Sequence, residues 1–381
     1  MGSPRPRLRA LLIVLAAVLV TAVAATPASA AKTPKRTAPQ GYIGMNISDG
    51  ALDPRFPLEQ QMKDMVKSGV ESVVTHIPWS SMQPTQGGPI DYSMTDRVAL
   101  TAARLKMTFV PVVVFAPPWG ALFPDRPTSP PQSAAYGAFV SQLVHRYGPG
   151  GDLWKANPSV KASPVRTWQI WNEPNLKLFW DQDQWETTYV SVLRAAHDAI
   201  KAADPKGKVA LAGLVNTSWE DLASLYKSGA KGLFDVLALH PYTGLMKNVL
   251  RIVKFNRDVL DRNGGKKIPI ILTESGWPPS DGYVKNRYGF EVKLKDLPKL
   301  IKDSFPEFVR ARKLYNVIGF YWYSWATADA SPDYAFDYAG LRTITSPTTT
   351  KDKISLAAYK RAALRAEGCR SKGSTATSCR R

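Results

Sequence analysis

The sequence predicts an α/β chain closed into a single (β/α)8 (TIM) barrel. Eight short apolar runs, each rich in β-branched or aromatic residues, recur along the chain, and helical patterns fill most of the gaps between them. Strands that alternate with helices form a parallel sheet, and eight such units close it. An open doubly wound sheet is the competing architecture, but the chain has no glycine-rich phosphate loop of the kind that sheet carries.

Residues 42–46 read as the first strand and residues 58–67 as its amphipathic helix. Residues 71–77, 107–115 and 165–171 are strands two to four, and 208–213, 234–239, 268–273 and 317–323 are strands five to eight. The clearest helices span 132–147, 186–203 and 295–313. Several strands are apolar on both faces, as a sheet covered by helices outside and packed within requires.

The N-terminus has a different character. Arg5, Arg7 and Arg9 precede the apolar stretch 11–20, and Ala28-Ser29-Ala30 offers a small-residue cleavage site, so residues 1–30 read as a secretory signal. The apolar stretch falls short of the roughly 20 residues a spanning helix needs, so no stable membrane insertion is expected. Export would make the product extracellular. Residues 31–40 form a Lys/Thr/Pro-rich leader expected to be flexible, 41–366 the barrel, and 367–381 a Gly/Ser/Thr-rich tail. Cys369 and Cys379 are the chain's two cysteines, and an exported tail could bond them into a small loop, with little expected support for the barrel.

The formal charge is +19, and loss of residues 1–30 leaves 47 basic against 31 acidic residues, a net +16. The cations are spread over segments such as 247–267 and 293–313, and no nucleic-acid motif accompanies them, so neither DNA nor RNA is an expected partner. A basic surface serves solubility and also attracts anionic glycans. The four histidines (76, 145, 197, 240) show no ligand spacing, so neither metal nor cofactor is expected.

Two strand ends carry carboxylates. Strand four runs into Trp171-Asn172-Glu173-Pro174-Asn175, where Pro174 stops the ladder, and strand seven runs into Thr273-Glu274-Ser275-Gly276-Trp277. In a barrel of this kind the C-terminal ends of the strands carry the chemistry. Strand six ends in His240-Pro241-Tyr242, and aromatic residues follow strands three and eight at Trp119, Trp322 and Trp325. The loops 115–132 and 277–293 are long, border the same end of the barrel and hold Trp119, Phe123, Trp277, Tyr283, Tyr288 and Phe290.

These motifs resemble those of the clan A glycoside hydrolases, retaining (β/α)8 enzymes. The region around Trp171-Asn172-Glu173-Pro174-Asn175, with Phe179-Trp180 and the helix ending at Pro205, is most similar to family 39 and related polysaccharide-cleaving members. The resemblance spans about residues 40–340. It implies that Glu173 is the general acid/base and Glu274 the nucleophile. It also implies that Asn172 binds the sugar 2-hydroxyl, that Tyr242 and His240 line the pocket beside the nucleophile, and that Trp322 is the platform under the cleaved sugar. An O-glycosidic bond of a poly- or oligosaccharide is the implied substrate, cut by double displacement in a monomer. One position departs from the pattern: His76 stands where the clan usually carries an arginine bonded to the nucleophile. A histidine is charged only below about pH 6.5 unless perturbed. The competing reading is therefore a glycan-binding barrel of the same fold with impaired catalysis.

Overall fold

The structure is a computed structural model that describes residues 1–2, 35–48 and 53–380. The expected signal at 1–30 and the first part of the expected leader lie outside the described residues, apart from Met1 and Gly2. Eight parallel strands close on themselves: β1 (Ile43–Asn46), β2 (Ser72–Pro78), β3 (Thr108–Val114), β4 (Thr167–Asn172), β5 (Lys208–Leu214), β6 (Val236–Leu239), β7 (Ile270–Ser275) and β8 (Val317–Trp322). β1 pairs with both β2 and β8, which removes every free edge from the barrel. Each strand lies within two residues of the expected bounds at both ends.

The two faces of the sheet feed two separate cores. Val74, Val110, Val112, Val114, Ala210, Val236, Ala238, Ile271 and Tyr321 fill the barrel interior. On β3 the inward residues are 110, 112 and 114, the period of two that a pleated strand imposes. Their neighbours Phe109 and Val113 face outward with Trp168, Ile170, Leu211, Leu237, Leu272 and Phe320, and the helices cover them.

The helices are α1 (Leu58–Lys67), α2 (Trp79–Met82), α3 (Ser93–Leu105), α4 (Ser133–Tyr147), α5 (Asp152–Ala156), α6 (Trp185–Ala203), α7 (Ser218–Lys227), α8 (Met246–Arg262), α9 (Leu297–Tyr315) and α10 (Ile354–Glu367). No helix among the described residues is long and apolar enough to cross a membrane.

Beyond β8 the chain adds β9 (Ala326–Thr327), β10 (Arg342–Ser346) and β11 (Thr349–Asp352), a small sheet absent from the sequence reading. Trp325, expected at the sugar site, belongs to this packing. It is 1% exposed, donates from Nε1 to Gln61 Oε1 at 2.8 Å, and carries the Arg342 guanidinium over its ring.

Residues 36–38 and the C-terminal tail are tied down by specific contacts that their composition does not suggest. Cys369 and Cys379 are bonded, and the tail pairs as a hairpin of β12 (Ser371–Lys372) and β13 (Cys379–Arg380). Lys372 Nζ reaches Glu71 Oε1 at 3.0 Å and Glu367 Oε2 at 2.6 Å, with all three side chains fully enclosed. Arg36 from the leader closes on Glu71 at 2.8 Å, and Thr37 N–H donates to Ala366 O. Glu71 immediately precedes β2, so leader and tail meet at the N-terminal end of the barrel. A flexible leader and an incidental tail are thereby corrected for residues 36–38 and 369–380. Buried charges persist only when paired, and these three elements complete one another's pairs.

Candidate active site

The site lies where four strands end. Glu173 follows β4 directly, Glu274 is the penultimate residue of β7, His240 follows β6, and Asn46 ends β1. One carboxylate oxygen of Glu173, one of Glu274 and a ring nitrogen of His240 lie within 4.8 Å of one another. Glu173 and Glu274 are 8% and 7% exposed.

His240 links the two carboxylates. Its Nδ1 is 2.7 Å from Glu173 Oε1 and 3.6 Å from Glu274 Oε2, and its Nε2 is 3.0 Å from Thr273 Oγ1. Room for the ring comes from β5. Gly213 pairs with Asn172, and a Cβ built there would lie 2.1 Å from His240 Nε2. Glycine is the side chain that admits the imidazole at this point. Its carbonyl also accepts the Glu173 N–H at 3.2 Å.

Glu274 is held by two further donors. The Tyr242 hydroxyl donates to Oε2 at 2.9 Å, and Asn46 Nδ2 approaches Oε1 at 3.4 Å. Asn46 is oriented in turn, since its Oδ1 accepts the Ser48 N–H at 2.9 Å. The Tyr242 ring is stacked on Phe290 at 5.4 Å and meets the edge of Phe336 at 4.9 Å, so its hydroxyl has little freedom.

Burial divides the proton affinities. It pushes the Glu173 carboxyl up to about 8 and the His240 imidazole down, with Glu274 opposing the latter. Near neutral pH Glu173 is therefore a protonated acid and His240 a neutral ring. Burial, with the Glu274 charge adding to it, also keeps the Tyr242 hydroxyl protonated and able to donate.

Some of the chain's positive-φ residues lie at the site. Trp171 and Glu173 take φ of 70° and 44°, a region bulky L-residues rarely adopt, and Phe115 at the end of β3 takes 57°. Such strain persists where the surroundings over-determine it, and it clusters at functional sites.

His76 does not take the place of a nucleophile-binding cation. Burial lowers its ring to about 4, so it is neutral, and it lies beside the Asn172 amide. A hydrogen-bonding contact to the Asn172 side chain opposes that shift, and neither His76 Nε2 nor Asn172 Oδ1 has a better-formed partner within the protein.

The aromatic expectations divide. Trp322 is fully buried and packs against Trp277 and Tyr359, outside the barrel, so it is not the platform. Tyr321 points inward and Tyr323, half-buried, meets Phe336 and senses Tyr242 on the site's side. Trp119 is half-buried in the loop after β3, donating to Gln83 O at 3.0 Å, with its ring against Trp79. Trp277 is buried, Phe290 has Tyr242 on one side and Tyr288 on the other, and Phe123 is covered by Arg126. Tyr283 and Tyr288, 58% and 55% exposed, retain open surface. Asn46 and Gly213 were not found from the sequence, each being a single ordinary residue on a strand without a motif around it. Thr273 stood in the motif of strand seven, but its contact to His240 was not legible there.

No family model and no curated protein sequence matches the chain. Solved structures do match in fold. A monomeric beta-xylosidase from Caulobacter crescentus CB15 aligns with a TM-score of 0.60 at 20% identity, over 86% of this chain and 68% of that one. A family 39 glycoside hydrolase from Bacteroides cellulosilyticus WH2 aligns with a TM-score of 0.59 at 16% identity, over 86% and 64%. The catalytic domain of GH30 xylanase C from Talaromyces cellulolyticus gives 0.53 at 14%, over 87% and 78%. At these identities the likeness is one of fold, the (β/α)8 barrel.

Proposed function

We propose that this protein is a retaining glycoside hydrolase that cuts an O-glycosidic bond of a poly- or oligosaccharide. The observation that carries the reading is the closeness of the carboxylates, with oxygens within 4.8 Å of each other. Direct attack by one carboxylate needs a separation of about 5–5.5 Å, whereas an inverting pair stands about 6.5–9.5 Å apart to admit water. The fold neighbours, a xylosidase, a xylanase and a family 39 glycoside hydrolase, support the same reading.

In the proposed reaction a Glu274 oxygen attacks the anomeric carbon while Glu173 gives its proton to the departing glycosidic oxygen. A glycosyl ester on Glu274 results, and Glu173 is left as a carboxylate. Glu173 then takes a proton from water, whose oxygen displaces Glu274 and restores both groups. Every proton and bond is accounted for by the two glutamates, water and substrate. Residues 1–30 would export the enzyme, and its net +16 would favour contact with anionic glycans outside the cell. The second reading, a binding barrel with impaired turnover, draws on the neutral His76.

The test is a panel of polysaccharides and aryl glycosides, with proton NMR of the first product formed. Retained anomeric configuration, lost in Glu274→Ala, supports the proposal. Inversion contradicts the mechanism, and tight binding without products supports the second reading.

A further inference from the structure

The turn that carries Glu173 is anchored at its far corner by a carboxylate from another element. Leu176 N–H donates to Glu173 O at 2.9 Å, closing a four-residue turn with Pro174 and Asn175 at its centre. Asn175 Nδ2 then reaches outward to two acceptors, Val215 O at 3.1 Å just beyond β5 and Asp221 Oδ2 at 2.8 Å in the first turn of α7. The strained segment from Trp171 to Glu173 thus has fixed points on both sides. The Glu173 N–H is held by Gly213 O, Trp171 Nε1 donates to Phe179 O at 2.9 Å, and Asn175 is held by Asp221.

Asp221 is an unusual anchor. The charged groups that face it are Glu186 on α6 and its own neighbour Glu220, both acidic, and none of the three has a cation partner among the described residues. Burial comes first and these two carboxylates add to it, raising Asp221 to about 6, while Asn175 works the other way. In a chain with a large excess of Lys and Arg, a half-buried acid left without a cation makes its strongest contact to the acid/base turn.

We propose that Asp221 is a positioning residue for the proposed hydrolysis. Through Asn175 it holds the Glu173 turn where the carboxyl can deliver its proton to the departing oxygen. The inference rests on the glycosidase reading. It concerns proton delivery specifically, so it has a signature that general loosening of the fold lacks. A glycoside with a poor leaving group depends on protonation, whereas a dinitrophenyl glycoside departs without it.

Asp221→Ala, Asp221→Asn and Asn175→Ala would be compared with wild type on aryl glycosides of the sugar that the panel identifies, from dinitrophenyl to unsubstituted phenyl. Displacement of a reacting group by about 1 Å costs on the order of 10²-fold. Asp221→Ala and Asn175→Ala are expected to lose roughly 10- to 100-fold in kcat on the phenyl glycoside and less than about 3-fold in the bond-breaking step on the dinitrophenyl glycoside. Their double variant should lose no more than Asn175→Ala alone, because that substitution already removes the hydrogen bond to Asp221 along with the one to Val215 O. Asp221→Asn, which keeps an acceptor without the charge, should retain most of the rate and lose any pH dependence that Asp221 contributes near pH 6. Equal losses across all leaving groups, no loss at all, or additive losses in the double variant overturn the inference and leave the glycosidase reading intact. A wild-type protein inactive on every glycan and glycoside removes both.

Discussion

Gly213→Ala tests the architecture of the site with one methyl group. The added Cβ would stand 2.1 Å from His240 Nε2, 2.5 Å from Cε1 and 2.6 Å from Cδ2. The contacts are with a ring rather than with the end of a flexible chain, and the ring is enclosed. Relief demands a shift of roughly 1 Å or more of the imidazole or of β5, since carbon contacts are favourable only near 3.5–4.0 Å. His240 cannot make that shift and keep both its 2.7 Å contact to Glu173 and its 3.0 Å contact to Thr273. Overpacking of this sort costs about 1–3 kcal/mol, and each lost hydrogen bond about 1 kcal/mol more. The expected destabilisation is therefore about 2–4 kcal/mol, read as a lower urea midpoint at unchanged slope. Displacement of the ring beside Glu173 should lower kcat/KM by on the order of 10²-fold. His240→Ala removes the obstacle, so adding Gly213→Ala in that background should cost almost no further stability. A Gly213→Ala protein with wild-type stability and rate, or an equal cost in the His240→Ala background, would refute the account.

Other consequences follow from the same geometry. Glu173, raised to about 8, must be protonated to act, so kcat/KM should hold on the acid side of that value and fall as pH rises through it; the limb should vanish in Glu173→Ala assayed with a dinitrophenyl glycoside. Azide should rescue both glutamate variants by different routes, giving a glycosyl azide of retained configuration from Glu173→Ala and of inverted configuration from Glu274→Ala, distinguishable by proton NMR. Cys379→Ser opens a loop with a sequence separation of 10, worth about 2–3 kcal/mol, and frees Lys372 from Glu71 and Glu367; a lower denaturation midpoint with unchanged kcat is expected, because this cluster lies at the end of the barrel away from the site. The oxygen and nitrogen atoms of Glu173, His240 and Glu274 are spaced so that a divalent ion could also bind, so prolonged dialysis against a chelator should leave activity unchanged if they work as acid, bridge and nucleophile.

The barrel was legible because burial on both faces writes itself into composition. A strand enclosed by helices outside and a packed interior is apolar throughout, and turn residues punctuate it. The two catalytic candidates were legible because each is a carboxylate immediately after or within the end of such a run. What escaped was set by phase and by distance. In the run Phe320-Tyr321-Trp322-Tyr323 every residue is aromatic, so the sequence hides which ones face inward. The structure turns Tyr321 in and Trp322 out, and that moves the expected platform off the site. Gly213 matters through a ring 27 positions away, and Asp221 through an amide 46 positions away. The ends misled for the same reason. Arg36, Glu71, Glu367 and Lys372 look like solvated charges until the fold brings them together.

The substitution of an expected arginine by His76 matters less once the proton inventory is drawn up. A neutral imidazole has one donor and one acceptor, so His240 has two arrangements. With the proton on Nε2, Thr273 would accept it, and a bare Nδ1 lone pair would face Glu274 Oε2 at 3.6 Å while Glu173 spent its own proton on the ring. With the proton on Nδ1, the Thr273 hydroxyl donates to Nε2 and the ring N–H donates to Glu173 Oε1 at 2.7 Å, with Glu274 Oε2 3.6 Å away. The second arrangement leaves the Glu173 proton on Oε2, free for the departing oxygen of the proposed reaction. It also needs no rearrangement after proton delivery, because the same N–H then stabilises the new Glu173 carboxylate. The Tyr242 hydroxyl and the Asn46 amide give Glu274 neutral donors where a cation would otherwise stand. An ionised carboxylate can be sustained by several oriented hydrogen bonds without a cation. On this account the site holds the proposed nucleophile ready through Tyr242 and Asn46, while Thr273 orients the His240 proton toward Glu173 and Gly213 makes room for the ring.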